Sequence, residues 1–166
     1  MAGEASFDVV SEVDMQEVDN AINQAAREIA NRYDLKGSGS SISLDKAKGT
    51  ISLAASDEFH LKAVIDVLQT KLVKRNISLK ALTYGKVEPA SGGTVRQTIG
   101  VVQGIDPDRA RALAKLVRDS KLNARAQVEG SKLRVFSKKK DVLQAVIRLL
   151  KDSESDIPLQ FNNYRD

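Results

Sequence analysis

Residues 50–68 read TISLAASDEFHLKAVIDVL, and residues 132–150, which lie 82 positions later, read KLRVFSKKKDVLQAVIRLL. Few residues are identical, but the spacing of the apolar residues is the same in both copies. The first copy has Ile51, Leu53, Leu61, Ala63, Val64, Ile65 and Leu68 where the second has Leu133, Val135, Leu143, Ala145, Val146, Ile147 and Leu150. In each copy an alternating pair precedes a stripe with a period near 3.6 residues, which predicts a strand followed by a helix.

A second apolar stripe with helical spacing precedes each copy. The first stripe consists of Ile22, Ala25, Ala26 and Ile29, and the second consists of Ala110, Leu113, Ala114 and Val117. These stripes are 88 residues apart, so the first half carries six extra residues between its helix and its strand. The extra residues fall within residues 33–41, which include Gly37-Ser38-Gly39-Ser40. Since insertions concentrate in surface loops, we predict a loop there.

Cap, hairpin and turn signals predict the order βαββαβ in each half. The predicted strands are Phe7–Glu12, Ser41–Asp45, Thr50–Ala54 and Ile77–Leu82 in the first half, and Val95–Val102, Ala124–Glu129, Lys132–Phe136 and Leu159–Asn162 in the second. The first and third predicted helices follow the caps Asp14 and Asp106, and the second follows Ser56 and Asp57, which both offer caps. The last predicted helix spans Asp141–Lys151. Residues 85–93, with Pro89, Gly92 and Gly93, have the composition of a linker.

Two helices for every four strands cover one face of an antiparallel sheet and leave the other face open. This is the ferredoxin-like, or RNP-like, arrangement of an α+β protein. We therefore predict two tandem ferredoxin-like domains, with residues 1–93 forming the first domain and its linker, and residues 94–166 forming a second, basic domain. Because domains of this size bury little surface alone, we expect the two halves to share surface or to exchange elements.

The composition excludes several classes of site. There are no cysteines, so disulfides, cysteine-ligated zinc and iron–sulfur clusters are excluded. His60 is the only histidine, it falls on a predicted helix surface, and no acidic triplet has metal-site spacing. We expect neither a metal nor a cofactor, and a protein that binds rather than an enzyme. No run approaches the ~20 apolar residues of a membrane span and the start lacks signal-peptide features, so we expect a cytoplasmic protein with no membrane partner.

The glycine-rich segment Lys36–Ser41 invites comparison with a phosphate-binding loop. A P-loop leads from a strand into a helix, whereas this segment leaves a predicted helix and enters a strand. A flexible turn is the favoured interpretation. The alternative is a set of backbone amides that hold an anion beside Lys36.

Positive charge is concentrated in the second half of the sequence. Residues 1–93 hold 11 Lys/Arg against 13 Asp/Glu, a net charge of −2, whereas residues 94–166 hold 15 against 9, a net charge of +6. Nine cations lie between Lys115 and Lys140, with only two acids among them. Such a cluster attracts phosphates, although it also fits a solvated surface that keeps a protein soluble.

Strand alternation predicts which residues lie on the open face of each sheet. In the second half these are Arg125, Gln127, Glu129, Arg134 and Phe136, and in the first half they are Ser41, Ser43, Thr50, Ser52 and Ala54. One face is therefore basic with an aromatic ring, and the other is small and hydroxylic. RNP-like sheets bind single-stranded RNA by stacking bases on exposed aromatic rings and by holding phosphates with arginine or lysine. Packing between domains and plain solvent exposure are the alternatives for the basic face.

We assign candidate nucleotide-binding roles to seven residues of the second half. Arg134 and Arg125 would contact a phosphate or the edge of a guanine, and Phe136 would stack on a base. Gln127 would hydrogen-bond a base, while more distant attraction would come from Lys121, Lys132 and Lys138.

Four segments give the chain a resemblance to the bacterial YajQ family of nucleotide-binding proteins along nearly its full length. They are residues 6–14 (SFDVVSEVD), residues 103–105 (QGI), residues 119–122 (DSKL) leading to Gln127, and residues 161–166 (FNNYRD). The resemblance implies tandem ferredoxin-like domains that exchange their first strands, so that strand 6–12 joins the second sheet and strand 95–102 joins the first.

The resemblance also implies nucleotide binding, with cyclic di-GMP reception and RNA association both proposed for the family. Our leading hypothesis is a non-enzymatic effector that binds a cyclic dinucleotide on the basic second domain. The alternative is an RNA-binding or ribosome-associated module. A third possibility is a scaffold that binds an acidic protein partner.

Overall fold

The computed structural model describes residues 3–166, which form nine β-strands and four α-helices. The strands are β1 (Ala5–Val10), β2 (Ser41–Asp45), β3 (Thr50–Ala55), β4 (Leu82–Tyr84), β5 (Glu88–Pro89), β6 (Val95–Val101), β7 (Arg125–Glu129), β8 (Lys132–Ser137) and β9 (Gln160–Arg165). The helices are α1 (Met15–Asn31), α2 (Glu58–Lys74), α3 (Pro107–Asp119) and α4 (Lys140–Lys151).

The strands form two antiparallel sheets. One has the order β7-β8-β1-β9, and the other has the order β2-β3-β6-β4 with β5 also paired to β6. This confirms the predicted α+β class and is consistent with a two-domain ferredoxin-like arrangement. The first strand of each half pairs with strands of the other half: β1 lies between β8 and β9, and β6 lies between β3 and β4.

The chain divides into two compact units because of this pairing. The split unit contains the residues up to Glu12 together with Gln103–Asp166, and the continuous unit contains Val13–Val102. The chain therefore passes from one unit to the other twice.

The core of the split unit is built around β1, all of whose residues are buried. Phe7 is fully buried and lies opposite Val135 in the register of β1 and β8. Its ring centroid lies 6.1 Å from that of Phe161 and 6.0 Å from that of Tyr164, both on β9. From α4, Leu143, Val146 and Leu150 are buried as well. The period of 3.6 residues in residues 143–150 thus has the predicted effect of burying one helix face.

The core of the continuous unit joins both predicted helical stripes to the inward residues of its sheet. Its buried residues include Ile22, Ala25, Ile29, Ile51, Leu53, Leu61, Val64, Leu68, Leu72 and Ile99. The alternation along β3 is confirmed, since Ile51 and Leu53 are buried while Ser52 between them is exposed.

Asp14 and Asp106 cap helices as predicted, and of the two candidates for α2 it is Asp57 that caps the helix. A carboxylate oxygen of Asp14 accepts hydrogen bonds from the backbone N–H groups of Gln16 and Glu17. Asp57 accepts from the N–H of His60, and Asp106 accepts from that of Arg109. These side chains satisfy N–H groups that have no partner inside the helix.

The predicted strand Ile77–Leu82 is wrong. The Ser78 hydroxyl accepts from the N–H of Lys80, which favours a short 3-10 turn over Leu79–Ala81, and the strand begins at Leu82. The predicted linker also contains a short strand, because Glu88 and Pro89 pair with β6.

The last strand extends beyond the predicted Leu159–Asn162 and ends at Arg165. Its register against β1 shifts between Ser6 and Asp8, and Asn163 has a φ of 56°. Asparagine tolerates this left-handed conformation, which allows a bulge within the strand.

The burial of Phe7 leads to a first prediction. Phe7→Ala removes a fully buried ring, and we expect it to lower the free energy of unfolding by about 3–5 kcal/mol. Urea unfolding followed by far-ultraviolet circular dichroism measures this loss. The control is Phe59→Ala, since Phe59 is 77% exposed, and it should stay within about 0.5 kcal/mol of the parent. Equal losses of unfolding free energy in the two variants would contradict the conclusion that the core of the split unit is built around β1.

Gly104, where the chain re-enters the split unit, leads to a second prediction. Its N–H donates to the carbonyl of Ser11 at 2.6 Å, its φ is +88°, and a Cβ atom there would lie 2.8 Å from the Cβ of Ser131. We expect Gly104→Ala to destabilise the protein by more than about 1 kcal/mol in urea unfolding. Gly39→Ala is the control, because Gly39 also has a positive φ but no atom within 4 Å of an added Cβ. A loss no larger than that of the control would exclude the steric contact.

Candidate ligand-binding face

The open face of the split unit carries two rows of polar and aromatic side chains across neighbouring strands. Arg125 on β7 lies opposite Phe136 on β8, and Phe136 lies opposite Ser6 on β1. In the next row, Gln127 lies opposite Arg134, which lies opposite Asp8. Leu133 and Val135, which alternate with these residues along β8, are fully buried.

Asp8 occupies the middle of this face. It is 2% exposed, and its carboxylate accepts three hydrogen bonds from side chains on two other strands. The donors are Arg134 Nε at 2.9 Å, Lys132 Nζ at 3.1 Å and Asn163 Nδ2 at 2.8 Å. The bulge in β9 thus has a structural role, because it brings Asn163 to Asp8.

These donors control the charge of Asp8. Burial alone would raise the pKa of its carboxyl, because a low-dielectric environment disfavours the ionised form. The hydrogen bonds from Arg134, Asn163 and Lys132, together with the charge of Arg134, outweigh this and lower the pKa to about 2. Asp8 is therefore an anion at neutral pH, and the same hydrogen bond raises the pKa of Arg134.

Arg125 and Phe136 form a cation–π pair at one end of the face. The guanidinium carbon of Arg125 lies 4.1 Å from the ring centroid of Phe136, within the range of a cation–π contact. Arg125 Nη2 also donates to Glu4 at 2.8 Å, while the side chain remains 57% exposed. The guanidinium is thus oriented from one side by an aromatic ring and from the edge by a carboxylate.

Charges on this face are nearly balanced. The three cations of the β7–β8 hairpin, Arg125, Lys132 and Arg134, form ion pairs with the carboxylates of Glu4, Asp8 and Glu129. Arg165 on the edge strand β9 lies opposite Ser6, is exposed and forms no ion pair within residues 3–166. An excess of positive charge must therefore come from cations around the rim of the face rather than from its centre.

The structure brings five of the seven predicted site residues onto one face, and it places the other two in loops beside it. Arg125, Gln127, Lys132, Arg134 and Phe136 share the open face through the register of β7 and β8. Lys121 precedes β7 and Lys138 follows β8, and both segments lie at the Arg125–Phe136 end of the hairpin, where the Ser137 hydroxyl donates to the carbonyl of Asn123. Both lysines are exposed and form no ion pair within residues 3–166.

The corresponding face of the continuous unit has different chemistry. Ser43, Ser52 and Thr98 form one exposed row across β2, β3 and β6. Arg96 is 66% exposed on the same sheet and lies 3.5 Å from Glu88. This face offers hydroxyl groups and one paired cation.

A second polar cluster fastens the loop after α4 to α3. Arg109 donates to both oxygens of Asp156 at 2.7 Å and to Asp106 at 2.7 Å. The hydrogen bonds from Arg109 lower the pKa of both carboxyls. The loop and α3 border a cavity of about 320 Å³ whose apolar wall is Ala112, Leu113 and Leu116. These charged groups are already paired with one another, so we assign the cluster a structural role, which is to hold the loop after α4 against α3.

Charge is divided differently in the folded units than in the two halves of the sequence. The split unit holds 14 Lys/Arg against 12 Asp/Glu, and the continuous unit holds 12 against 10, so each has a net charge of +2. The first strand and its flanks bring Glu4, Asp8 and Glu12 to the basic segment. Positive potential is therefore local, at the loops carrying Lys121 and Lys138, rather than a property of one whole unit.

The acidic partners of the site could not be predicted from the sequence. Glu4 and Asp8 accept hydrogen bonds from its arginines, and Asn163 donates to Asp8. All three residues come from segments distant in sequence from the β7–β8 hairpin. Asp8 does carry a local signal, since a charged residue flanked on both sides by the apolar Phe7 and Val9 is unusual in a buried strand. Its position opposite Arg134 depends on strand register, which that signal does not specify.

Within residues 3–166, no three His, Cys, Asp or Glu side chains are grouped so that they could hold a metal ion. The helices of the same range include none that is long and apolar enough to cross a membrane.

Comparison with known proteins identifies the family. The family model described as "Nucleotide-binding protein YajQ-like" matches residues 5–165. The chain belongs to this YajQ-like family. Proteins named "Nucleotide-binding protein" from Trichlorobacter lovleyi and Carboxydothermus hydrogenoformans are 54% and 52% identical to it. The alignments cover 97% and 99% of this chain, and 99% and 100% of the relatives. The resemblance predicted from four short segments is thus confirmed along almost the whole length of this YajQ-like chain.

The pKa of Asp8 leads to a third prediction. Because its folded-state value of about 2 lies below the ordinary value of 3.8, the ionised carboxylate stabilises the fold above pH 4, and this contribution disappears as the pH falls toward 2. We expect Asp8→Asn to lower the free energy of unfolding by about 2–3 kcal/mol at pH 7. Urea unfolding of both proteins between pH 2 and pH 7 measures the difference.

The control for this series is Asp19→Asn, whose carboxylate forms a single ion pair with the exposed Lys46. This variant should remain within about 1 kcal/mol of the parent at neutral pH. A difference between Asp8→Asn and the parent that stays constant from pH 7 to pH 2 would show that ionisation of Asp8 does not stabilise the fold.

Proposed function

We propose that this YajQ-like protein is a non-enzymatic nucleotide-binding effector, and that a cyclic dinucleotide, with cyclic di-GMP as the specific candidate, binds the open face of the split unit. The observation that carries the proposal is the cation–π contact between the exposed Arg125 and Phe136. The names of its relatives support the ligand class, since each is called a nucleotide-binding protein.

We infer that each unit is a ferredoxin-like module completed by the first strand of the other half. The sheet orders support this, because β9-β1-β8-β7 and β4-β6-β3-β2 follow one pattern when β1 and β6 are treated as the first strands of the modules. In such a module the central strand β1 contributes Asp8 to the ligand face, and the neighbouring β7–β8 hairpin contributes the cations Arg125, Lys132 and Arg134.

The Arg125 guanidinium offers a platform for a base. The guanidinium carbon lies 4.1 Å from the ring centroid of Phe136, and the Arg125 side chain is 57% exposed. Guanidinium planes stack on nucleobases as aromatic rings do. A base on the outer side would continue the column that begins with Phe136. This modifies the role given to Phe136, which would support the stacking group instead of meeting the base itself.

Gln127 would recognise the edge of that base. It is exposed, lies two residues from Arg125 on the same strand face, and carries both a donor and an acceptor. Arg134 is only 16% exposed and its Nε is held by Asp8. We assign to Arg134 the role of positioning the face, with its terminal nitrogens directed at a phosphate or a base edge.

The phosphates would lie toward Lys121 and Lys138. The cations at the centre of the face are balanced by carboxylates, whereas these two lysines are exposed beside the Arg125–Phe136 end. An anionic ligand would therefore extend from Arg125 toward the two loops. Asp8 supports a binding role over catalysis, since a carboxylate with a pKa of about 2 is unsuited to act as a general acid at neutral pH.

We further propose a cytoplasmic location. The absence of cysteine from all 166 residues is compatible with a reducing compartment.

The proposed site leads to a fourth prediction, which is tested by measuring binding of cyclic di-GMP, GTP and a short single-stranded RNA by calorimetry. Arg125→Ala should weaken cyclic di-GMP binding by about 1–3 kcal/mol, because the stacking platform is lost. Arg125→Lys keeps the charge without the plane and should recover little of the loss. Arg96→Ala is the matched control, since Arg96 is a similarly exposed strand arginine on the continuous unit. No binding of any ligand, or equal losses with Arg96→Ala, would overturn the proposal.

Salt dependence separates the nucleotide from the RNA alternative. A single-stranded RNA that contacts many phosphates loses affinity steeply with salt, with a slope of about −0.7 per phosphate in a double-logarithmic plot. A small cyclic dinucleotide should show a much shallower slope. Tight RNA binding with a steep slope and no cyclic dinucleotide binding would favour the RNA-binding module.

A further inference from the structure

The outer edge of β7 is unpaired and suited to strand addition. Strand β7 forms one edge of the sheet of the split unit, and within residues 3–166 only β8 pairs with it. No loop makes a backbone hydrogen bond to Arg125–Glu129 in that range. The outward N–H and C=O groups of such a strand form a template for another strand.

Three of the other edge strands carry features that hinder pairing. At the opposite edge of the same sheet, β9 has a register shift with Asn163 in a left-handed conformation. In the continuous unit, β4 has three residues and β5 has two, one of them Pro89. In contrast, β7 has five residues without proline, lysine or a bulge, and Val128 is 42% exposed on it.

The sequence of β7 is complementary to itself when it is read in opposite directions. Antiparallel pairing of RAQVE about Gln127 puts Arg125 opposite the partner's Glu129, Ala126 opposite the partner's Val128, and Gln127 opposite the partner's Gln127. Both ends of the contact then join opposite charges, which stabilise cross-strand pairs. Strand β2, which also forms an edge, lacks this property: pairing of SISLD about Ser43 would set serine against Asp45.

Both charged ends are accessible for this contact. The Arg125 side chain is 57% exposed, and that of Glu129 is 32% exposed. Arg125 uses one terminal nitrogen for Glu4, and a guanidinium has five N–H donors, so it can hold a second carboxylate at the same time. Glu129 has only a 3.6 Å contact with Arg134 and keeps acceptor capacity.

We propose that the occupant of this edge is a second copy of this chain, which pairs its own β7 antiparallel to the first. Such a contact is isologous, so it closes as a dimer and does not propagate into a fibre. The two four-stranded sheets become one continuous sheet of eight strands. Arg125 and Gln127 of both copies then lie on the same open face, on either side of the two-fold axis. The inference concerns self-association and does not depend on the identity of any ligand.

Sedimentation velocity over a concentration series that reaches the sub-millimolar range tests the dimer. The parent protein should shift from monomer to dimer. Arg125→Glu and Glu129→Arg should each stay monomeric, because each puts like charges opposite each other at both ends of the contact. An equimolar mixture of these two variants should form a heterodimer, since their charges complement each other, and the double variant Arg125→Glu/Glu129→Arg should dimerise again.

Two further variants provide a second disruption of the contact and a control for this fifth prediction. Gln127→Lys puts two ammonium groups opposite each other at the two-fold axis and should be monomeric even if one of the charge reversals fails to fold. Arg96→Glu, on the other sheet, should dimerise like the parent. The proposal is overturned if the parent remains monomeric through the series. It is also overturned if Gln127→Lys dimerises like the parent, or if the folded charge-reversal variants fail to associate in the mixture.

Discussion

The insertion of β1 between β8 and β9 determines both sides of the split unit. One face of the strand directs Phe7 into the core, and the other directs Asp8 into the polar face. A buried carboxylate is costly unless its hydrogen-bonding capacity is satisfied, and here Arg134, Lys132 and Asn163 satisfy it. The same carboxylate orders the cations around it. Core packing and the geometry of the candidate site thus depend on a single six-residue strand near the start of the chain.

Features that depend on local sequence were predictable, and features that depend on strand register were not. The caps Asp14, Asp57 and Asp106 and the two hairpins follow from residues close together in the chain. The contact between Asp8 and Arg134 joins residues 126 positions apart, so no local pattern specifies it. The wrong strand at residues 77–82 has a related origin, since its apolar residues fit a strand while the Ser78 hydroxyl stabilises a turn.

Strand exchange also changes the electrostatic interpretation of the chain. By sequence, a basic half follows an acidic half, whereas the folded units carry equal net charge. A ligand would therefore experience a local field set by individual loops and ion pairs, and not the field of a uniformly basic domain. For this reason the arrangement of Arg125 on Phe136 is more informative about the site than the number of cations in the segment.

The double passage of the chain between its units affects the order in which they can form during synthesis. The continuous unit is encoded without interruption, so every strand and helix that it needs has left the ribosome once Val102 has emerged. The split unit must wait, because Phe7 pairs across from Val135, which is made more than a hundred residues later. During that interval β1 has neither of the strands with which it pairs, β8 and β9. Strand β1 can take its place in the sheet only after β8 and β9, its two neighbours, have been synthesised.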